Sequence, residues 1–387
     1  MEFDVIIAGA GLVGASFAAA LADADLRLAL IAPAAPPVPP DGGTWDMRIY
    51  AVSPGSAQFL EACGAWPFPS GRIEAVREMR ILGDARGSKI TFDAYDAGLS
   101  ELAFIAENRQ LQHALWQRLT TQRNLRIFCP AHCAALEWTS DAARLTLADG
   151  MQLTAALAVG ADGADSWVRT QAQLPAVRHA YRQRAVVANF TAQRPHDGVA
   201  FQWFRRDGVL ALLPLPGQRV SAVWSTGEAH ADQLLALDDA ALGETVTAAS
   251  GGELGRLEPL TRAAAFPLRL QRVARFIRPR VALIGDAAHN VHPLAGQGVN
   301  LGFRDARALA RVLTEREPGR DCGDYFLLRR YERSRKEDVL AVGLMTDGLQ
   351  KLFGSRSVFA AGVRNLGVDC VDQWAPVKRL LARHAAA

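Results

Sequence analysis

The chain has 387 residues, of which 50% are hydrophobic and 21% are charged, and its formal net charge at pH 7 is +3. This apolar fraction can build a sizeable core, which excludes a disordered or fibrous protein. The near-balanced charge argues against a general nucleic-acid binder, since such proteins concentrate basic residues on one face.

The first segment of the chain has the pattern of a strand, a tight turn and a helix. The apolar residues 3–8 are followed by Gly9, Gly11 and Gly14 and then by an alanine-rich stretch. In this spacing the first glycine permits a sharp turn, the second lets a pyrophosphate approach, and the third lets the helix pack on the strand. Because the N–H groups at a helix start attract phosphate, we predict dinucleotide binding.

One residue departs from this dinucleotide-binding pattern. An acidic side chain that holds a ribose is expected at the end of the second strand (26–31), where this chain has Ala32. Asp41 is nearby, but it lies in a proline-rich loop. We therefore expect the adenosine end of the cofactor to be held more weakly than usual.

The rest of the chain divides into helical and strand-rich regions. Leu111, Leu115 and Leu119 recur at helical spacing, whereas short alternating runs are typical of strands. The predicted elements are a helix over 108–119, small strands within 125–160, an antiparallel sheet of strands and turns from about 180 to 270, a buried strand over 280–284, a helix over 299–315, and a mostly helical tail from 337.

A second motif follows a buried strand at residues 160–169. The strand ends in Asp162-Gly163, and Ser166 and Arg169 follow at short spacing. This arrangement can place a carboxylate and a guanidinium over a dinucleotide. An ordinary Asp-Gly turn with a surface arginine accounts for the pattern equally well.

The third motif, residues 282–302, is the most informative. A buried strand stops at Gly285-Asp286, which puts a carboxylate at the carboxyl edge of the sheet, where doubly wound sheets bind ligands. A glycine-bracketed loop then leads into a helix at Val299, whose first N–H groups can hold a developing anion. His289 and His292 have no third ligand in helical register, so we expect no metal.

These three motifs in this order resemble the class A flavoprotein monooxygenases of the p-hydroxybenzoate hydroxylase fold, and more narrowly the ubiquinone-biosynthesis hydroxylases of the UbiH/UbiF/VisC type. The resemblance covers nearly the whole chain, with further matches at residues 46–56, 63–66, 107–109, 213–215 and 223–225. It implies an α/β (α+β) fold, in which an antiparallel-sheet substrate domain interleaves with a Rossmann-like FAD-binding domain, and a helical C-terminal tail. The implied domains are a discontinuous FAD-binding domain over 1–75, 96–178 and 272–335, a substrate domain over 76–95 and 179–271, and a C-terminal helical region over 336–387.

The resemblance also implies the cofactor site. The FAD pyrophosphate would bind at Gly9, Gly11 and Gly14, the extended FAD along Arg48 and Arg109, and both FAD and NAD(P)H at Asp162 and Gly163, supported by Arg169. Asp286 would accept a hydrogen bond from the ribityl chain. The flavin side of the site would comprise Gly296, Gln297, Gly298 and Asn300, with Pro293 beside the reacting position.

The implied reaction is hydroxylation of the aromatic ring of a polyprenylated phenol by NAD(P)H and O2, through a flavin C4a-hydroperoxide. Because the flavin activates oxygen, no metal is required. His289 and His292 are candidates for proton transfer, although a structural role is favoured for both. The sheet around Gln202 and Phe204 would surround the ring and its lipid tail. The predicted lining residues are Trp203, Leu213 and Trp224, and part of this whole set is expected to belong to the core.

Two basic segments leave alternatives open. The tail 374–384 has the pattern of a basic amphipathic helix, which lies on an anionic membrane or packs on its own core. The segment from Arg262 to Arg280 contains six arginines, both ends included. This segment either attracts a 2′-phosphate, a membrane or a partner protein, or is simply solvated, and the solvated interpretation is favoured. The alternative functions are a same-fold hydroxylase of a soluble aromatic compound and a non-catalytic flavin-fold subunit that works with other ubiquinone-biosynthesis proteins.

The sequence also bears on location. No window reaches the ~18 uninterrupted apolar residues of a membrane span, and the first residues lack the basic leader of a signal peptide. The five cysteines show no paired CxxC spacing. We therefore expect a cytoplasmic protein without disulfides, in peripheral contact with the inner face of the membrane. The sequence leaves open the oligomeric state, the ring position and the choice between NADH and NADPH.

Overall fold

The computed structural model describes residues 1–40, 44–68, 71–83, 89–290 and 297–354. The strands are β1 (Phe3–Ala8), β2 (Leu28–Ile31), β3 (Ile49–Val52), β4 (Ile73–Val76), β5 (Glu78–Leu82), β6 (Lys89–Asp93), β7 (Ala103–Glu107), β8 (Leu125–Phe128), β9 (Cys133–Trp138), β10 (Ala143–Leu147), β11 (Gln152–Gly160), β12 (Ala176–Ala192), β13 (Val199–Arg205), β14 (Gly208–Leu215), β15 (Arg219–Gly227), β16 (Leu257–Pro259), β17 (Ala264–Val273), β18 (Ile277–Arg278), β19 (Val281–Leu283) and β20 (His289–Asn290). The helices are α1 (Leu12–Ala20), α2 (Pro54–Ala62), α3 (Ala94–Ala97), α4 (Asn108–Thr120), α5 (Trp167–Gln171), α6 (Glu228–Leu235), α7 (Asp239–Ala249), α8 (Gln297–Thr314) and α9 (Tyr325–Gly354), and a 3-10 turn lies at Gly285–Ala287.

The first sheet contains a parallel core in the order β8-β2-β1-β11-β19. Its strands are nearly continuous apolar runs because both faces are buried. The pairing places Ala8 beside Gly160 and Gly160 beside Leu283. The three sequence motifs therefore begin at neighbouring points on one carboxyl edge, where parallel sheets bind ligands.

The second sheet is built on the antiparallel meander β12-β15-β14-β13, to which β5 adds parallel to β13. Its strands come from residues 78–93, 176–273 and 289–290, between segments that belong to the first sheet. The predicted α/β fold with an interleaved antiparallel sheet is thus confirmed. β12 begins before, and β17 ends after, the boundaries predicted at 179 and 271.

The second lobe also contains helices that the sequence pattern does not predict. Strands and turns are expected from about 180 to 270, and this is wrong for α6 and α7, which occupy 228–249. The apolar side chains that these helices bury are Ala231, Leu234, Leu242, Val246 and Ala249, which join the hydrophobic cluster on one face of the second sheet. Both helices are short, so their stability comes from this packing rather than from local propensity.

The remaining elements connect the two lobes. The small sheet β3-β7-β4 packs through Ile105 against Leu215 of β14. Helix α8 begins at Gln297, two residues before the predicted start, and α9 begins at Tyr325, ahead of the predicted 337. The predicted amphipathic segment 374–384 lies outside the described residues. Within the described part of the chain, no helix is both long and apolar enough to cross a membrane.

Candidate functional site

The turn between β1 and α1 requires glycine at two positions because of close backbone approaches. Gly9 has φ +107°, and a Cβ there would lie 2.4 Å from the carbonyl oxygen of Ala161. A Cβ on Gly14 would lie 2.0 Å from the carbonyl oxygen of Gly9. These approaches lock the start of α1 against the end of β11, as the motif predicts.

Gly11 occupies a different environment, with no atom within 4 Å of the position that its Cβ would take. It is the N-cap residue of α1, whose first turn contains no acidic residue and whose N-cap makes no side-chain hydrogen bond. Among the described residues, no side chain caps the N-terminal N–H groups of α1, and the space beside Gly11 is open, which is the arrangement that binds a phosphate.

The side chain of Asp162 is turned toward its own loop. Its carboxylate accepts hydrogen bonds from the Ser166 hydroxyl and, at 2.9 Å, from the backbone N–H of Val168 at the start of α5. Gly163 has φ +83° and open space around its Cβ position. A cofactor contact predicted for this pair is thus available at Gly163, whereas the Asp162 carboxylate already holds the turn.

Arg169 joins the second motif to the third. It is buried, and its guanidinium donates to the carbonyl of Ala164 at 2.9 Å and to that of Ala287 at 3.0 Å. Ala287 belongs to the 3-10 turn that carries Asp286. The alternative of a surface arginine beside an ordinary turn is therefore wrong, and the supporting role is the one that the structure shows.

Asp286 and Arg48 form the charged part of the cleft. The Asp286 side chain is exposed to solvent at the cleft, although many protein atoms lie close around its carboxylate. This burial raises its pKa, while the positive charges of His289 and Arg48 act in the opposite direction. The guanidinium of Arg48 lies 5.2 Å from the ring centroid of Phe266, on β17 of the second sheet. The cleft therefore lies where the two lobes meet.

Arg109 supports the loop that carries Arg48. Its guanidinium contacts the Thr44 carbonyl and, at 3.0 Å, the buried Glu107 carboxylate, and its backbone N–H donates to Asp46 at 3.0 Å. Its Nε is buried and has no hydrogen-bond partner among the described residues. Arg109 thus has a structural role and one donor that a bound ligand can still satisfy.

His289 lies below the cleft rather than in it. Its side chain is 2% exposed, and Nε2 lies 2.6 Å from Oδ2 of Asp305, which is fully buried. The same carboxylate accepts the backbone N–H of Gly285 at 2.9 Å and Nε of Arg335 at 2.7 Å. This cluster fixes the 3-10 turn against α8 and α9, in agreement with the structural role favoured for His289.

The start of α8 is only partly described. A Cβ on Gly298 would meet no atom of the described residues within 4 Å. The Asn300 amide is buried, accepts the N–H of Ser53 at 2.9 Å and donates to the Ala51 carbonyl at 2.8 Å. Asn300 therefore anchors α8 to β3 through its side chain. The predictions for Pro293, Gly296 and His292, and for the side chain of Gln297, lie outside the described residues.

The prediction that Trp203 and Trp224 line the substrate is wrong. Both side chains are buried in the cluster under α6 and α7, on the same row of the sheet as Leu210. Successive residues of a strand point to opposite faces, so their neighbours occupy the other side. That side, called the cleft face below, carries the cross-strand row of Phe204, Val209, Ser225, Ala185 and Phe266 and the row of Gln202, Ala211, Val223, Val187 and Ala264.

The cleft face is the one that approaches Arg48, through Phe266. Leu213 belongs to this face, where it packs with Trp45 and Leu215. Val223 and Phe266 were missed by sequence reasoning, although the period of two along β15 and β17 was available as a signal. The size of an aromatic side chain does not indicate which face of a sheet it occupies, whereas its position in the strand alternation does.

Together these features fit a dinucleotide cofactor. The uncapped start of α1 above Gly11, the free donor of Arg109 and the cleft carboxylate of Asp286 offer groups for phosphate, ribose and polyol in one cleft. Ala32 is buried in the backbone ladder at the end of β2 and provides no acidic group.

Comparisons with known proteins identify relatives over the whole chain. The family described as FAD binding domain matches residues 110–342. The ubiquinone hydroxylase UbiL of Rhodospirillum rubrum is 34% identical, and the match covers 99% of this chain and 89% of that protein. The 3-demethoxyubiquinol 3-hydroxylase of Escherichia coli is 32% identical, covering 99% of this chain and 98% of that protein.

Solved structures agree at the level of the fold. PqsL of Pseudomonas aeruginosa, a probable FAD-dependent monooxygenase, superposes with a TM-score of 0.76 at 23% identity, covering 95% of this chain and 99% of that one. The p-nitrophenol 4-monooxygenase PnpA of Pseudomonas putida gives a TM-score of 0.78 at 17% identity, covering 99% and 98%.

Proposed function

Because the chain belongs to the FAD-dependent monooxygenase family of ubiquinone-biosynthesis hydroxylases, we propose that it hydroxylates the aromatic ring of a polyprenylated phenol with NAD(P)H and O2. FAD is its cofactor. The observation that carries the proposal is the position of the cleft. An open phosphate cradle, the Asp286 carboxylate and Arg48 adjoin a largely apolar sheet face.

The protein's own residues hold and orient the cofactor. The first N–H groups of α1, with Gly11, would hold the pyrophosphate, and Asp286 would accept a hydrogen bond from the ribityl chain. The partial positive charge at the start of α8, near Gly298, would favour negative charge on the reduced flavin. When bound, FAD supplies the redox chemistry and the activation of O2.

The cleft face supports the choice of an aromatic substrate with a lipid tail. Phe204, Val223 and Phe266 present apolar surface, and such surface both binds a ring and excludes water from the reaction. Gln202 is the amide in this row and is 5% exposed. We propose that it contacts a ring oxygen of the substrate, since a polar group in an apolar wall fixes orientation.

The proposal is tested with the purified, FAD-loaded protein. Polyprenylated phenols are expected to stimulate NAD(P)H oxidation and to gain one oxygen atom on the ring, as measured by mass spectrometry with labelled O2. Stimulation by soluble phenols alone would favour a hydroxylase of soluble aromatic compounds. A colourless protein that cannot be reconstituted with FAD would instead support a non-catalytic subunit. Rescue of strains that lack individual ubiquinone hydroxylation steps would identify the ring position.

A further inference from the structure

One face of α9 carries basic and aromatic side chains that the proposed reaction does not use. Phe326, Arg329, Arg333 and Lys336 recur at helical spacing and are all exposed. These four residues are called the α9 face below. The opposite side of the helix is buried, because the Tyr331 hydroxyl donates to the Leu283 carbonyl at 2.8 Å and Arg335 binds Asp305. The helix is therefore fixed to the FAD-binding lobe with its basic face outward.

The cations of the α9 face form no ion pair with any residue that the structure describes. The nearby Arg320 and Arg330 are paired with Glu317, and Asp324 also binds Arg320. Within the described ranges, Arg329 and Arg333 form no ion pair and no side-chain hydrogen bond. Two unpaired guanidinium groups thus remain beside an exposed phenylalanine, and they fit a partner that carries negative charge.

The aromatic part of this surface extends beyond the helix face. Phe326 is 67% exposed, and its ring makes an edge contact with Tyr325 at 5.9 Å. A hollow of about 330 Å³ lies between Phe326 and the arginines. A second hollow of about 410 Å³ on the other side of Tyr325 is lined by Arg275 and Arg278. Tyr325 and Phe326, whose rings are in contact, thus line one hollow each, and arginines line both hollows.

We propose that the α9 face docks on the surface of an anionic lipid bilayer. Aromatic rings insert at the level of the lipid headgroups, and flexible arginine side chains reach the phosphates while their stems cover apolar surface. A protein partner would need a matching acidic groove, whereas a bilayer needs only exposed cations and an aromatic anchor. Docking also brings the enzyme to a substrate with a polyprenyl tail, a benefit that rests on the proposed function.

The test measures vesicle binding by the full-length, FAD-loaded protein. We expect co-sedimentation with phosphatidylcholine vesicles that contain one third phosphatidylglycerol, weak binding to pure phosphatidylcholine, and weaker binding at high salt. Each arginine near an anionic surface strengthens binding about fivefold, so the double variant Arg329→Gln/Arg333→Gln should bind roughly 25-fold more weakly. Phe326→Ser should weaken binding severalfold.

The matched control is Arg123→Gln/Arg144→Gln, which removes two exposed arginines from the FAD-binding lobe and makes the same change in net charge. It should bind vesicles like the wild type. Equal binding by the two double variants would overturn the proposal. So would wild-type protein that binds neither kind of vesicle, a result that would point to an acidic protein or to the chain's own residues 355–387. Since binding is measured without turnover, failure here is distinct from failure of the proposed reaction.

Discussion

A side chain on Gly14 would meet the protein backbone, whereas a side chain on Gly11 would meet open space. Substitutions at these two positions therefore test folding and cofactor binding separately. Gly14→Ala places a methyl group against the Gly9 carbonyl and should lower the free energy of unfolding of the apoprotein by ~1–3 kcal/mol. Gly11→Ala meets no protein atom at φ −66° and should change this free energy by ~0.5 kcal/mol or less.

Both variants should lose FAD, because each disturbs the cradle at the start of α1. Urea unfolding of the two apoproteins and titration with FAD measure the two effects separately. A Gly11→Ala protein that retains FAD with wild-type affinity would show that the pyrophosphate does not approach this turn.

Asp286 illustrates a residue kept for binding at the expense of stability. Burial raises its pKa, so above that pKa the ionised carboxylate destabilises the apoprotein. Asp286→Asn should therefore raise the Tm of the apoprotein at pH 7, and the difference should shrink as the pH falls through the raised pKa toward the ordinary value of 3.8. FAD affinity should fall by roughly tenfold or more, because a charged hydrogen-bond acceptor is lost.

The measurement combines thermal unfolding over this pH range with FAD titration of the same variant. Unchanged FAD affinity would remove Asp286 from the cofactor site. A Tm that does not respond to the substitution at pH 7 would show that solvent in the cleft screens the charge.

At the scale of elements, adjacent residues of β15 point to opposite faces of the second sheet. One face adjoins the proposed substrate site, and the other packs under α6 and α7. Trp224 is 3% exposed under α6 and α7, so Trp224→Leu should cost ~2–4 kcal/mol of unfolding free energy and leave KM for the phenol unchanged. Val223 belongs to the cleft face, and Val223→Phe should raise KM severalfold with little effect on Tm. Steady-state kinetics and urea unfolding of both variants test this, and the reverse pattern would place the substrate under the helices.

The elements also show which features the sequence predicts and which it does not. The leucines of α4 recur with a single period and are all buried, so local pattern and tertiary packing agree. In α6 and α7, by contrast, the buried positions are set by contact with the second sheet, and the local signals are limited to the alanine-rich composition and the N-cap Asp238 of α7. The sequence predicts Asp162 in the right turn, but its carboxylate accepts hydrogen bonds from the Ser166 hydroxyl and the Val168 N–H. Local backbone and hydroxyl donors thus compete with a cofactor for this carboxylate, and residue spacing alone does not predict which of them binds it.

The cluster around Asp305 joins α8, α9 and the 3-10 turn, and its removal should be costly. Burial alone would raise the pKa of Asp305, but His289 and Arg335 outweigh it and hold this pKa below the ordinary value of 3.8. The cluster therefore stabilises the fold fully above 3.8, and this stabilisation is lost as the pH falls through the lower value in the fold. Asp305→Asn should cost ~3 kcal/mol at pH 7, since it removes the charge that His289 and Arg335 share and leaves the buried Arg335 with Asp338 alone as its counter-ion.

Urea unfolding at pH 7 measures the cost of Asp305→Asn. Urea unfolding of the wild type at a series of pH values below 4, as far as the protein stays folded, measures the loss of stabilisation in acid. The exposed Asp25→Asn serves as the control and should behave like the wild type. A cost below ~1 kcal/mol for Asp305→Asn would be that of an ordinary surface ion pair. It would show that the Asp305 cluster does not fix the 3-10 turn against α8 and α9.

For the whole molecule, the interleaving of the two sheets has a thermodynamic consequence. The long strand β12 enters the second sheet directly from the FAD-binding lobe, β17 returns toward β18 and β19, and Arg48 contacts Phe266 across the cleft. The chain enters the second lobe at residue 176 and leaves it at residue 273, so unfolding of one lobe removes contacts that fix the ends of strands in the other. We therefore expect the apoprotein to unfold in one transition, although its length would allow two independent domains.

This coupling makes a prediction for the cofactor. FAD binds only the folded cleft, so at a free concentration 100 times its Kd it should stabilise the protein by about 2.7 kcal/mol, and Tm should rise steadily with FAD concentration. Because the lobes unfold together, the whole melting curve should shift as one transition, as followed by circular dichroism and by differential scanning calorimetry. Gly11→Ala should melt at an unchanged temperature at every FAD concentration. A wild-type melting curve that divides into two transitions, of which FAD shifts only one, would show that the lobes unfold separately.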